Sequence, residues 1–151
     1  MRSIRRARDR AELLRRLSTI SPQTTCRWGR MSAHQMICHL SDAWRVSLGE
    51  RTTTHVGNLL SHTLIKWIVL YTPVPVPKGV PTARELDQTR DGTSPGDFAA
   101  DVETLVALIE RSAEPTTPEP NPHPAFGPLS WAQWARFNYR HMHHHLRQFD
   151  A

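Results

Sequence analysis

Apolar residues recur every three to four positions in several stretches of this chain, the period of a helix with one buried face. Leu13, Leu14, Leu17 and Ile20 mark a first helix, Ala7 to about Thr19. Ala33, Met36, Ile37, Leu40, Ala43, Trp44 and Leu48 mark a second, and Trp131, Trp134, Ala135, Asn138, Met142, Leu146 and Phe149 the last. Capping boxes, in which a serine and the side chain three residues on satisfy each other's amides, signal three starts. Ser32 with Gln35 predicts a helix to about Leu48, and Ser130 with Gln133 one to about Phe149. Ser94 with Asp97, and Pro95 at the first helical position, predicts one to about Arg111. A short apolar helix is expected from Asn58 to Tyr71, with proline-punctuated connectors at Pro73–Pro81 and Pro115–Pro128. No alternation of strand type survives. The fold class is therefore all-α. A four-helix bundle with a short extra helix and Pro-rich connectors is expected, in one domain spanning residues 1–151.

The formal charge of +5 changes this picture only at one end. Arg2, Arg5, Arg6, Arg8, Arg10, Arg15 and Arg16, against Asp9 and Glu12, carry the whole excess. A solvated helix face accounts for them. No aromatic-rich strand, glycine-rich loop or zinc-finger spacing supports nucleic-acid binding elsewhere. Cys26 and Cys38 lack a CxxC spacing and are read as reduced thiols. The N-terminus has no apolar signal region. The longest apolar run, Leu64–Tyr71, is broken by Lys66 and falls far short of the ~20 residues of a membrane span. A cytoplasmic protein with neither nucleic-acid nor membrane partners is expected.

The candidate chemistry lies in the histidines. With Trp134 as zero and about 100° per residue, the apolar stripe of the last helix covers about 0° to 120°. His145 falls at about 20° and His141 at about −20°, His144 at about −80°, and His143 at about 180°, facing out. Histidines four residues apart present their rings on one face, close enough to share an ion. His39 lies at the edge of the second helix's stripe, within reach of a neighbour. Three neutral imidazoles suit zinc, nickel, copper or iron, with remaining positions open to water or substrate.

The stretch RWGRMSAHQMICHLSDAW (Arg27–Trp44) resembles a conserved-type segment of the DinB-like, or YfiT-like, superfamily of metal-dependent proteins. HPAFGPLSWAQWARFNYRHMHHHLRQF (His123–Phe149) and PKGVPTAREL (Pro77–Leu86) resemble its domain-of-unknown-function branch. The resemblance implies a bundle of up-up-down-down topology with a metal at one end of its core, held by His39, His141 and His145. It further implies use of a divalent ion, zinc or nickel, with a low-molecular-weight thiol in transfer or isomerisation chemistry. In that branch an aspartate often stands where this chain has His143.

Such an ion lowers the pKa of a coordinated thiol or water and so makes a nucleophile near neutral pH. The zinc-peptidase pattern H-E-x-x-H is absent, because Met142 follows His141. Asp42, one turn after His39, is a candidate to orient an imidazole or take a proton, and His144 is a candidate acid or base. Asn138 and Gln148 are candidate pocket residues, and His123 a candidate to fold over the metal mouth. His34, His55 and His62 carry no assignment. The expected function is a metal-dependent thiol transferase or hydrolase acting on a small molecule. The alternative is a non-catalytic bundle that sequesters a small ligand or acts by dimerisation; a homodimer is left open.

Overall fold

A computed structural model describes residues 1–115 and 119–151. Its helices are α1 (Ala7–Leu17), α2 (Ala33–Ser47), α3 (Lys66–Tyr71), α4 (Phe98–Ala113) and α5 (Trp131–Gln148). A π-helical turn, Ser61–Ile65, leads into α3, and a 3₁₀ turn, Arg84–Leu86, lies between α3 and α4. Among the described residues there is no strand; His123 and Gly127 form one isolated antiparallel bridge. Of the connector expected at Pro115–Pro128, residues 116–118 lie outside the described residues.

The caps of α2 and α5 form as the sequence predicts. Gln35 N–H donates to Ser32 Oγ at 3.1 Å while Ser32 N–H donates to Gln35 Oε1 at 2.9 Å. Ser130 and Gln133 repeat the exchange at 3.3 and 2.9 Å. The start of α4 differs from expectation. Asp97 is itself the cap, its Oδ1 accepting from Ala100 N–H at 2.9 Å, so Ser94 and Pro95 precede the helix. A carboxylate there both satisfies an orphan donor and complements the positive end of the helix dipole.

The main core joins four helices: Leu13 and Leu17 of α1, Met36, Ile37, Leu40 and Trp44 of α2, Leu105 and Ile109 of α4, and Met142 and Leu146 of α5. Burying each side chain of this kind contributes about 1.5–3 kcal/mol. α2 packs on α4 and α5, and α1 on α5. A smaller cluster of Val46, Leu70, Leu86, Phe126, Leu129 and Trp134 lies apart from it.

The arginine-rich N-terminus is more than the solvated face expected of it. Ile4 is fully buried, and its N–H donates to Ala135 O on α5 at 3.1 Å. Arg16 is buried too, donating to Ala151 O from Nε at 3.0 Å and meeting His143 Nδ1 at 2.7 Å. Arg2, Arg5, Arg6, Arg8 and Arg15 are the exposed members. The short apolar helix forms, but it buries only Leu70; Leu59, Leu60, Leu64 and Trp67 are each more than half exposed. Among the described residues no helix is long and apolar enough to cross a membrane.

Candidate metal centre

α2 and α5 meet at a group of three histidines. His39, 4 % exposed, points from α2 toward His141 and His145, one turn apart on α5. His39 Nε2 and His145 Nε2 each lie 3.1 Å from His141 Nε2. One ring nitrogen from each residue falls within 4.8 Å of the others, a spacing that could hold a metal ion.

The far side of each ring decides which nitrogen carries a proton. His39 Nδ1 lies 2.8 Å from Leu86 O, and a carbonyl only accepts, so Nδ1 is the N–H and Nε2 presents a lone pair. His145 Nδ1 lies 2.8 Å from Gln148 Oε1, whose amide is oriented by Gln148 Nε2 donating to Trp28 O at 2.8 Å. His145 Nε2 therefore presents a lone pair as well. Both lone pairs aim at His141 Nε2, which can donate to one of them at most. His141 Nδ1 is sealed from solvent and has no hydrogen-bond partner. A cation at the convergence point resolves this arrangement, because each ring then offers its Nε2 lone pair to one centre. Backing of the opposite nitrogen by a carbonyl or amide is the usual support for ligating imidazoles.

Burial lowers the pKa of His39, opposed in part by its bond to the Leu86 carbonyl. Burial lowers His141 and His145 well below the ordinary value, and the neighbouring imidazoles push the same way. All three are thus held neutral, the form that ligates. Phe137 stacks on His141 at 5.3 Å and shields it from one side.

The other sequence candidates fall in different places. Gln148 is buried and holds His145, a supporting rather than pocket-lining position. His144 is half-buried beside the group, its ring 5.3 Å from His145 and 5.9 Å from Trp28, and it bonds the backbone of Val76. Asn138 is buried with Oδ1 unpartnered, and it lines neither the cleft beside Trp28 and Lys78 nor the one beside Tyr71 and Arg140. Asp42 corrects its expectation: no histidine is among its hydrogen-bond partners. Its fully buried carboxylate accepts from Gln88 Nε2, Thr93 N–H, Thr93 Oγ1, Arg51 and Arg45 at 2.7–3.2 Å, which leaves no site for a proton relay.

His123 also corrects its expectation. It does not fold over the histidine group but sits behind Phe137, stacked on Phe126 at 4.4 Å. Its Nδ1 accepts from the backbone N–H groups of Ala125 and Phe126 at 3.1 Å, and Gly127, at φ +67°, closes the tight return. His143 is only partly open to solvent, because α1 packs on that side; its ring stacks on Tyr139 and meets Arg16.

The Leu86 and Trp28 carbonyls are site groups that sequence reasoning missed. A backbone acceptor leaves no residue-type signature. A second group, His34, Cys38 and Asp101, also has ligand spacing. His34 Nε2 lies 2.7 Å from Asp101 Oδ2, which also accepts from Gly96 N–H at 3.0 Å and from Cys38 Sγ at 3.6 Å. Burial and Asp101 push the Cys38 thiol up to about 12, so it is a protonated donor here.

Two results follow from these supports. Gln148→Leu removes the acceptor that fixes the His145 tautomer, and metal affinity should fall by about 10–100-fold. Competition with a chelating dye reads this directly, and an unchanged affinity would refute the tautomer argument. Burial lowers the His123 pKa from 6.5 to about 3, so the folded state resists a proton that the unfolded chain accepts. Its contribution to stability is full above pH 6.5 and is lost as pH falls toward 3. Urea unfolding of metal-free protein between pH 7 and 4 should show this loss. His123→Asn, which can still accept from the turn amides, should flatten that part of the slope.

The fold and site define an all-helical protein with a three-histidine group able to hold a metal ion. Residues 4–151 match the family described as "Protein of unknown function (DUF1569)", and the chain belongs to that family. No curated protein and no solved structure matches the chain.

Proposed function

We propose that this protein is a metal-dependent member of the DinB-like superfamily, an up-up-down-down four-helix bundle. In this reading His39, His141 and His145 hold one divalent ion, zinc or nickel. The observation that carries the proposal is the pair of lone pairs, on His39 Nε2 and His145 Nε2, aimed at a third imidazole nitrogen 3.1 Å away. An ion with three protein ligands keeps a position for a thiol or water, whose pKa it lowers toward neutrality. Leu86 and Gln148 fix the two outer imidazoles, and Phe137 keeps water from one side of the third. His144, beside His145 and at the edge of the sealed group, is the residue best placed to exchange a proton with a bound reactant. The reaction class is transfer of a low-molecular-weight thiol to an electrophile, or hydrolysis.

Protein purified without immobilised-metal resin should contain close to one equivalent of transition metal by mass spectrometry. Loaded protein should then conjugate a small thiol to an aromatic electrophile or hydrolyse an activated ester, and chelation should abolish either activity. Metal binding without turnover of either substrate class would favour a ligand-sequestering module. Absence of metal binding would end the proposal.

A further inference from the structure

Acidic side chains are unevenly placed along the chain: none occurs from residue 51 to 84 or from 120 to 149. The balanced charge count beyond the N-terminus hides this segregation. Parts of these two stretches face each other in the fold. Arg136, Arg140 and Arg147 recur at helical spacing on one flank of α5, and residues 70–76 lie across them. Between them runs a cleft of about 480 Å³, within the size range of small-molecule sites. Arginines line one side, Leu70, Tyr71 and Val76 the other, and no carboxylate lines it.

The state of each cation matters. Arg2, at the rim, is paired with Glu12. Arg136 lies over the Tyr71 ring at 5.0 Å. Arg147 is exposed and has no ion-pair partner among the described residues. Arg140 donates from its two terminal nitrogens to the carbonyls of Thr72 and Val74, while its Nε is sealed from solvent without a partner. No carboxylate pairs with it among the described residues. Carbonyl dipoles satisfy donors but do not neutralise a charge, and even a half-buried cation gains from a counter-charge.

We propose that this cleft binds a small organic anion. A phosphate or carboxylate pairs with Arg140 and Arg147, and an apolar body lies against Leu70, Tyr71 and Val76. Guanidinium forks match both anions with paired, charge-assisted hydrogen bonds. His143 and His144 also line the cleft, the latter beside the histidine group, but its arginines lie on a different flank of α5 from His141 and His145, and the inference does not depend on those two binding a metal.

Calorimetric titration of the whole protein with phenyl phosphate at low salt tests it. Phenyl phosphate should bind more tightly than phenol, which lacks the charge, and than inorganic phosphate, which lacks the apolar body. Arg147→Gln, an exposed change, should weaken binding about tenfold, the scale of one charge-assisted hydrogen bond. Arg140→Gln should do more, with circular dichroism checking that the fold survives. Arg8→Gln, outside the cleft, is the control and should bind as the parent does. Equal binding by the Arg147→Gln and parent proteins, equal losses in the Arg8→Gln control, or no binding of phenyl phosphate would each overturn the site. A parallel arm uses phosphatidylglycerol vesicles with phosphatidylcholine vesicles as reference. Binding to the anionic vesicles without binding of phenyl phosphate would assign the charge to a lipid surface and likewise overturn it.

Discussion

His39→Ala is expected to lose nearly all bound metal while its far-ultraviolet circular dichroism stays close to that of the parent. His39 is the only ligand that α2 supplies, and His141 with His145 would be left as a two-nitrogen pair on one helix. The change removes Nε2 at the convergence point and also strands the Leu86 carbonyl, which loses its donor. An orphaned buried acceptor costs about 1–3 kcal/mol, enough to lower the unfolding midpoint but not to melt four packed helices. His143→Ala provides the contrast: it loses the contact with Arg16, at a cost near 1 kcal/mol, yet keeps its metal. Mass spectrometry of metals on both variants reads the difference. Full occupancy in His39→Ala would remove the three-histidine centre from consideration.

Helical phase made much of this site legible. The apolar stripes of α2 and α5 fix which faces turn inward, and the serine–glutamine caps fix where those helices begin. His39, His141 and His145 could therefore be placed together before any coordinates. Phase does not say what packs on the opposite side. His143 points away from its own helix's stripe, yet α1 covers it in part, because Arg16 turns inward from a segment that reads as solvated. Asp42 departs from its expected role for a related reason. A carboxylate one turn from a histidine is near it in sequence, but beyond Arg45 its partners are Arg51, Gln88 and Thr93, which no short-range pattern reveals. The cap of α4 shows a finer limit. Ser94 and Asp97 both fit a capping pattern, and backbone geometry selects the aspartate.

Asp42→Ala is expected to destabilise the protein by about 3–5 kcal/mol, the range for breaking a buried charge pair from one side. The carboxylate is wholly buried and is the common acceptor for α2's own Arg45 and for Arg51, Gln88 and Thr93 of later segments. Alanine leaves the Arg51 charge uncompensated and orphans the Thr93 N–H and Gln88 amide at once. Asp42→Asn should be little better, since its NH₂ group meets a site populated entirely by donors. The effect reaches the histidines through the backbone. Gln88 and Thr93 dock the stretch that follows the 3₁₀ turn, Arg51 Nε also holds the Glu85 carbonyl at 2.9 Å, and the next carbonyl, Leu86, fixes His39. Metal affinity should therefore fall along with stability, although Asp42 touches no imidazole. Urea unfolding gives the first quantity and dye competition the second. A variant that kept parental stability would show that the donors around Asp42 find other partners. One that lost stability but kept full metal affinity would break the link from Asp42 through Leu86 to His39.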